Sequence, residues 1–347
     1  MVRQAVLLSC VGPETIPGKC HLERRIWACA DPETGRLYNF VQGGQLKFEG
    51  VFSVLPTPFN GDGEIDLESL QRVVDLFLKA GVNGVTVLGV TGEVSRLRDK
   101  ERDVVLHTVL DHIKGRVPVI AGTTAEGLRT CLEYSRAAKA AGAAAVMVSP
   151  PRMNRLNSDA VVAHYKALAE AVDIDIVVQD YPPLSGFTME PGLVVRITRE
   201  VRTARTIKLE DPPTPAKTSR ILELSLGTEI AILGGLGGVF LLEELLAGAA
   251  GAMTGFAYPE MLVEVVRLFK SGQVDDAANA FYRYVPLMRF EFQEGIGMSI
   301  RKEVLRRRGA LADGSIRPPG ATLDVSTRAA LDRLLNWMRH QQGVPWI

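Results

Sequence analysis

The chain has 347 residues, of which 46% are hydrophobic and 23% charged, the mix of an ordinary globular protein that can bury a large core. Lysine plus arginine and aspartate plus glutamate both number 40, so the formal net charge is zero. That balance gives no overall attraction to nucleic acid or to an anionic membrane, and no stretch is apolar for the 18 or so residues of a membrane span. We therefore expect a cytoplasmic protein whose partners include neither nucleic acid nor membrane.

The first 45 or so residues have no convincing helical or strand periodicity, so we expect residues 1–46 to be an extension, either disordered or folded into a small cap. From about Gly50 the pattern changes. Short β-branched runs alternate with longer segments whose apolar residues recur at helical spacing. The first such helix has Asp66 as a plausible N-cap and ends at Gly81.

The alternation continues without a break to about residue 270. Strands are predicted at 51–55, 84–88, 117–121, 144–148, 174–178, 204–208, 230–233 and 251–254. Helices are predicted at 67–80, 99–113, 126–141, 158–171, 190–200, 214–225, 239–247 and 259–270. Strands that alternate with helices form parallel sheets, and eight such units favour a closed barrel. The sequence therefore predicts an α/β fold, a (β/α)₈ TIM barrel over residues 47–272.

The remaining residues, 273–347, contain helical patterns only. Apolar residues recur at helical spacing from about 274 to 288, from 296 to 307 and from 326 to 338. We expect a helical C-terminal extension that packs on the barrel rather than an independent domain.

One predicted strand ends in a residue suited to covalent catalysis. In a parallel barrel the catalytic groups lie where the strands end, and the sixth strand ends at Lys208, two residues before Glu210. Burial disfavours the charged amine and lowers its pKa, and a neutral amine can attack a ketone carbonyl. A lysine in such a position more often pairs with a neighbouring carboxylate such as that of Glu210. The catalytic role of Lys208 is therefore inferred largely from the residues at the other strand ends.

Two further strand ends carry polar groups. The second strand closes on Gly89-Val90-Thr91-Gly92, where glycines flank a hydroxyl and backbone N–H groups can hold a carboxylate, although a plain tight turn has the same pattern. The fifth strand ends in Gln179-Asp180-Tyr181, an amide, a carboxylate and a phenol. Three strand ends therefore converge on one face of the barrel.

Three other features of the sequence argue against a bound metal ion or a nucleotide cofactor. The glycine-rich stretch 234–238 lacks the third glycine of a dinucleotide fingerprint, because residue 240 is phenylalanine. The five histidines have no metal-ligand spacing. The four cysteines match no zinc or redox spacing and are expected to be free thiols. We expect neither a metal nor a cofactor.

At these residues the chain resembles the dihydrodipicolinate synthase / N-acetylneuraminate lyase family of class I aldolases, over about residues 50–343. The family's Gly-Thr-Thr-Gly-Glu motif is similar to the stretch Gly89–Glu93, and the family's Schiff-base lysine falls on Lys208. The resemblance implies a 2-oxo acid such as pyruvate bound as an imine on that lysine, with no cofactor. It also implies a homo-oligomer, either a dimer or a tetramer.

The same resemblance implies a set of substrate-binding residues. Thr91, with the backbone of Val90 and Gly92 beside it, would hold the carboxylate of the 2-oxo acid. Met253 falls where the family lines the pocket after the eighth strand.

Three positions depart from the synthase pattern. The tyrosine that relays protons at the end of the fifth strand is Gln179 here, and Tyr181 lies two residues later. The first threonine of the motif is Val90, which has no hydroxyl. The arginine that binds the second substrate's carboxylate falls on Leu184. All three departures argue against a working dihydrodipicolinate synthase.

The stretches Val178–Pro182, Lys208–Glu210 and Gly251–Gly255 are instead similar to the family's 2-keto-3-deoxy sugar acid dehydratases, such as the L-2-keto-3-deoxyarabonate dehydratases. That similarity implies a lyase that dehydrates or cleaves a 2-keto-3-deoxy sugar acid. Gln179 would orient water or substrate, since an amide does not titrate. Tyr181, Asp180 and Glu210 remain alternative groups for proton transfer.

Two other functions stay open at this point. One is 4-hydroxy-tetrahydrodipicolinate (dihydrodipicolinate) synthase, the activity that gives the family its name. The other is a non-catalytic barrel that binds 2-oxo acids. Lys208 weighs against the second, because a binding site that does no chemistry has no need of an amine that is costly to bury.

Overall fold

The computed structural model describes residues 26–30, 37–41, 48–341 and 344. The chain divides into two compact units, Met1–Leu46 and Lys47–Ile347. In the first unit, the strands Ile26–Ala30 and Leu37–Val41 pair in antiparallel fashion. These strands were not predicted, because residues 1–46 lack the regular alternation of strands with helices that identified the short strands of the barrel. The other residues of 1–46 lie outside the described residues.

The second unit contains a closed barrel of eight parallel strands. The strands are β1 Gly50–Val54, β2 Gly84–Val87, β3 Val119–Gly122, β4 Ala145–Val148, β5 Asp175–Asp180, β6 Thr206–Leu209, β7 Ala231–Gly234 and β8 Gly251–Thr254. Each strand pairs with the next along the chain, and β8 pairs with β1. The predicted TIM barrel is confirmed. The main difference is that β5 extends to Asp180, so Gln179 and Asp180 belong to the strand rather than to the loop after it.

A helix follows each strand, as predicted. These helices are α1 Leu67–Lys79, α2 Asp99–Ile113, α3 Leu128–Ala141, α4 Ser158–Ala171, α5 Pro191–Glu200, α6 Thr214–Leu224, α7 Leu241–Leu246 and α8 Pro259–Lys270. The C-terminal extension adds α9 Val274–Glu291, α10 Gly297–Arg307 and α11 Val325–Gln341. In the described part of the chain, no helix combines the length and the hydropathy that a membrane span requires.

Short turns of helix lie between several strands and their long helices. Val90–Gly92 and Val94–Arg96 follow β2, Pro182–Ser185 follows β5, and Leu236–Gly238 follows β7. They place extra backbone at the C-terminal ends of the strands, where a TIM barrel carries its site.

The barrel wall is buried on both faces, which explains why its strands are continuous apolar runs. One hydrophobic cluster fills the space between the strands and the surrounding helices. A second, smaller cluster fills the inside of the barrel with Phe48, Phe52, Val54, Ile120, Ala145, Met147, Val177, Leu233 and Met253. The barrel interior is therefore packed, and a substrate has room only above this cluster.

The start of α1 depends on a side-chain cap that the sequence predicted. The Asp66 carboxylate accepts a hydrogen bond from the Ser69 backbone N–H at 3.0 Å, which satisfies a donor that the first turn leaves without a helical partner. Asp66→Ala should lower the free energy of unfolding by about 1 kcal/mol, measured by urea denaturation. Asp66→Asn keeps an accepting oxygen and should retain most of the stability. Equal losses in the two variants would contradict the capping role.

Candidate active site

Lys208 and Gln179 lie side by side at the C-terminal ends of β6 and β5. They are register partners in the paired strands, and both are almost completely buried, 3% and 1% exposed. Side chains alternate between the two faces of a strand, so these two share one face of the barrel wall while Asp180 and Leu209 share the other.

The carboxylate of Glu210 joins these two residues. Its Oε2 lies 3.1 Å from Lys208 Nζ and accepts a hydrogen bond from Gln179 Nε2 at 2.7 Å. On the far side, Ser149 Oγ at the end of β4 donates to Gln179 Oε1 at 3.1 Å. The four side chains form one chain of polar contacts across three neighbouring strand ends. Because Glu210 contacts the amine directly, it can exchange a proton with it.

The position of Glu210 requires a glycine on the next strand end. A Cβ atom at Gly235 would lie 2.2 Å from Glu210 Cγ, far inside van der Waals contact. The glycine-rich stretch after β7 therefore makes room for this carboxylate. Packing around Glu210 therefore explains a glycine in the stretch 234–238 without a bound nucleotide.

Tyr181 and Asp180, the other two candidates for proton transfer, occupy different environments. Tyr181 is half-buried just after β5, and burial together with the nearby Glu210 carboxylate raises the pKa of its phenol, which therefore stays protonated and can donate. Asp180 faces the helix layer, where its Oδ2 lies 2.6 Å from Lys217 Nζ on α6. Burial raises the pKa of Asp180 to about 6. Asp180 is thus engaged away from Lys208 and is not a proton donor to this site.

The Val90–Gly92 turn is fixed to the loop after β1. Thr57 Oγ1 donates to the Gly92 carbonyl oxygen at 2.6 Å. Among the residues that the structure describes, the buried Thr91 Oγ1 has no hydrogen-bond partner. A buried hydroxyl without a partner is costly, and an anionic ligand would satisfy it.

Arg301 of α10 approaches this turn from the C-terminal extension. A Cβ atom at Gly255 would lie 3.0 Å from Arg301 Nη1 and 3.2 Å from Thr91 Oγ1, so both groups pack against the same glycine. Arg301 is itself buried, and its Nε donates to Glu291 Oε2 at 3.1 Å. The extension therefore places a guanidinium close to Thr91, which favours a negative charge there.

A pocket of about 340 Å³ opens beside Gln179. Its lining includes Gly89, Val90, Arg102, Thr124, Arg152 and Leu184. Val90 is exposed and presents an apolar surface, as does Leu184. Met253 is fully buried in the cluster inside the barrel and is not part of the lining of this pocket.

Sequence reasoning missed two residues of this arrangement. Ser149 is a polar residue at the end of β4, and the rule that singled out the other strand ends could have found it. Arg301 lies in the C-terminal extension, where no local pattern connects it with the barrel. In the described ranges, no group of three or more histidine, cysteine, aspartate or glutamate side chains is arranged to hold a metal ion.

The model of the dihydrodipicolinate synthetase family matches residues 47–338. The chain belongs to this family. Members of the family are lyases of the aldolase type, and the relatives of the chain are named as enzymes, so the chain is a lyase.

Individual relatives carry two different names. An L-2-keto-3-deoxyarabonate dehydratase of Azospirillum brasilense is 33% identical over 288 residues, 82% of this chain and 93% of the relative. A 4-hydroxy-tetrahydrodipicolinate synthase of Methanothrix thermoacetophila is 34% identical over 298 residues, 85% of this chain and 99% of the relative. Among solved structures, a dihydrodipicolinate synthase from Rhodopseudomonas palustris has 37% sequence identity to this chain. Its crystal structure superposes with a TM-score of 0.80, and the match covers 84% of this chain and 99% of that one. These similarities establish the family and the fold of the chain. They do not decide between the dehydratase and the synthase reaction, so that choice depends on the residues of the candidate site.

A buried acid next to the site should make stability depend on pH. Burial raises the pKa of Glu244 on α7 to about 7 from an ordinary 4.5, even though Thr214 Oγ1 donates to its Oε1 at 2.5 Å. The folded state thus favours the protonated form, and this contribution is complete below about pH 4.5 and is lost as the pH rises through about 7.

Glu244→Gln removes this titration. Between pH 5 and pH 8 the free energy of unfolding of the wild type should fall relative to that of the variant, by at most about 1.4 kcal/mol per pH unit. Urea denaturation at a series of pH values measures the difference. Glu243→Gln, on the same helix, should reduce this fall without abolishing it, because the Glu243 charge contributes to the raised pKa of Glu244. A parallel profile for Glu244→Gln would contradict the account.

Proposed function

We propose that this lyase dehydrates a 2-keto-3-deoxy sugar acid through an imine on Lys208, with a five-carbon acid as the first candidate. The observation that carries the proposal is the shared carboxylate of Glu210, which contacts both the amine of Lys208 and the amide of Gln179. A carboxylate beside the amine can move protons, and the amide orients it without titrating.

Imine formation needs a neutral amine and a place for its proton. Glu210, 3.1 Å from Lys208 Nζ, takes up the ammonium proton, and the amine attacks the C2 carbonyl carbon. The carbonyl oxygen then leaves as water with protons returned by Glu210, and a C2=N bond forms. Thr91 Oγ1 and the neighbouring N–H groups hold the C1 carboxylate, which completes the hydrogen bonding of the buried hydroxyl.

The protonated imine then draws electrons from C3. A base removes a C3 proton to give an enamine, and the enamine electrons expel the C4 hydroxyl, which leaves as water once an acid protonates it. We assign these transfers to Glu210 and Tyr181. The product of this step is a conjugated imine with a C3=C4 double bond. Loss of a C5 proton and protonation at C3 convert it to a C4=C5 enol, which becomes the C5 aldehyde by losing its hydroxyl proton and gaining a proton at C4. Hydrolysis of the imine then releases the product and frees Lys208. Retro-aldol cleavage starts from the same imine but breaks the C3–C4 bond, so it is the neighbouring alternative within one site.

The synthase reaction remains the alternative, because relatives of similar identity bear that name. It requires binding of a second carboxylate and proton transfer to and from the new bond. In the pocket of this chain, Leu184 stands at the position of the synthase's arginine. Gln179 and Val90 stand at the positions of the synthase's two hydroxyl-bearing residues. A non-catalytic binding barrel is less favoured still, since it has no use for a buried amine paired with a carboxylate.

Three further expectations from the sequence stay predictions. One is a cytoplasmic location, and the second is assembly into a homo-oligomer, a dimer or a tetramer. The third is the functional division of the chain into residues 1–46, 47–272 and 273–347.

Borohydride added with pyruvate should trap a covalent adduct on Lys208, because borohydride reduces an imine to a stable amine. Peptide mapping by mass spectrometry locates the adduct. Lys208→Ala should give no adduct and no turnover, and Lys208→Arg should fail as well, since a guanidinium stays protonated. Lys217 is the internal control, a buried lysine also paired with carboxylates. An adduct on another lysine would remove the central residue of the proposal.

Thr91→Val should weaken pyruvate binding by about 1–3 kcal/mol, the usual cost of losing a hydrogen bond to a charged group. The concentration dependence of borohydride trapping gives the affinity. Thr91→Ser keeps the hydroxyl and should bind nearly as well as the wild type. Wild-type affinity in Thr91→Val would place the carboxylate elsewhere.

The reaction type can be read from the products. With L-2-keto-3-deoxyarabonate, proton NMR should reveal 2,5-dioxopentanoate, the substrate minus one water. Retro-aldol cleavage would instead give pyruvate and glycolaldehyde. With pyruvate and aspartate semialdehyde we expect negligible turnover. A rate near 1 s⁻¹ or faster in that second assay, within the ordinary enzymatic range, would make the chain a synthase.

A further inference from the structure

The residue after the carboxylate-binding turn is held by a lysine of the C-terminal extension. Glu93, which follows Gly92, is buried and has a left-handed backbone with φ of 55°. Lys302 of α10 is completely buried, and its Nζ lies 2.5 Å from Glu93 Oε1. A buried ion pair therefore links α10 to the turn that carries Thr91.

The other oxygen of Glu93 is also occupied. Glu93 Oε2 accepts from Arg96 Nη1 at 2.7 Å and from the Arg317 backbone N–H at 3.1 Å. With both oxygens engaged, Glu93 has no free position for proton transfer. Its contacts instead fix the backbone on which it sits.

One partner of Glu93, Arg317, belongs to the segment of residues 312–321, which lies between α10 and α11. In this segment the Ser315 carbonyl oxygen accepts from Lys302 Nζ at 2.9 Å. Arg317 donates twice to Glu101 of α2, at 2.8 and 2.6 Å. The Phe59 ring contacts two cations, with Lys302 Nζ and Arg317 Cζ each 4.4 Å from its centroid. The Lys302 ammonium is thus held by Glu93, by the Ser315 carbonyl oxygen and by the Phe59 ring.

We propose that Lys302 is a positioning residue for substrate binding: through Glu93 it holds the Val90–Gly92 turn in the geometry that receives the carboxylate of the 2-oxo acid. A left-handed backbone costs a residue other than glycine energy, so Glu93 needs its partners to keep this conformation. A preformed turn binds an anion more tightly than one that must be ordered on binding. The inference rests on the proposed function, since it takes the carboxylate to bind at Thr91.

The test is the pyruvate dependence of borohydride trapping in the full-length chain. Lys302→Met should raise the pyruvate concentration for half-maximal trapping by roughly tenfold or more, the scale of a displaced positioning contact. The trapping rate at saturation should stay within about twofold of wild type, because the Lys208–Glu210 contact is untouched. Methyl pyruvate, which offers the ketone without the charge, should lose little, so the preference for pyruvate over the ester should shrink.

Arg308→Met is the matched control. Arg308 caps the end of the same helix, pairs with Glu260 Oε1 at 2.5 Å, and lies 4.3 Å from the Tyr258 ring centroid. Arg308→Met thus removes an ion pair and a cation–π contact like those of Lys302, but away from the Val90–Gly92 turn. This variant should keep the wild-type half-maximal concentration, and Lys302→Arg should recover part of the lost affinity.

The possible outcomes distinguish failure of the positioning role from failure of the proposed function. If the wild type traps no pyruvate, both the proposed function and the positioning role of Lys302 are wrong. A wild type that traps pyruvate, with Lys302→Met unchanged or with Arg308→Met equally impaired, overturns the positioning role alone. If Lys302→Met does not fold, Glu93→Gln decides, because it removes the charge and keeps the side chain's shape. It should shift the half-maximal concentration in the same direction, and an unchanged value would overturn the inference.

Discussion

The site depends on one buried contact, that between the Lys208 amine and the Glu210 carboxylate. Where water is scarce, an amine and a carboxylate 3.1 Å apart hold each other in place, and a single proton can pass between them. Around this pair the structure provides what the contact needs. Gln179, which accepts a hydrogen bond from Ser149, holds the carboxylate on one side, and Gly235 leaves space for it on the other. The barrel's packed interior supports the pair from below.

Much of the fold can be predicted from the sequence, because each strand of a parallel barrel is buried on both faces and forms an unmistakable apolar run. The end of β5 was harder to predict. Its last residues, Gln179 and Asp180, are polar and look like a loop, yet they continue the strand. That small error matters for chemistry, since strand alternation sends Gln179 and Asp180 to opposite faces. Asp180 therefore pairs with Lys217 instead of serving Lys208.

The candidate site was predictable where it lies at strand ends and unpredictable where the C-terminal extension contributes. Lys208 and Gln179 lie at the ends of strands and Thr91 follows one, so the barrel's architecture alone brings them to one face. Arg301 and Lys302 are distant in sequence, and nothing in a helix rich in arginine and lysine indicates which of its charges is buried. Only the packing of α10 against the rim identifies them. In this chain the barrel strands and the turns after them carry the candidate site, while part of the support for it comes from the C-terminal extension.

The most direct test of the central claim is hydrogen exchange at C3 of pyruvate, followed by proton NMR in D₂O. An imine on Lys208 acidifies the methyl protons, and a nearby base should remove them to form the enamine whether or not a second reaction follows. We predict that the methyl signal disappears far faster with the wild-type chain than in buffer alone, and that Lys208→Ala does not accelerate this loss. Exchange at the buffer rate with the wild type, or equal exchange with Lys208→Ala, would contradict it.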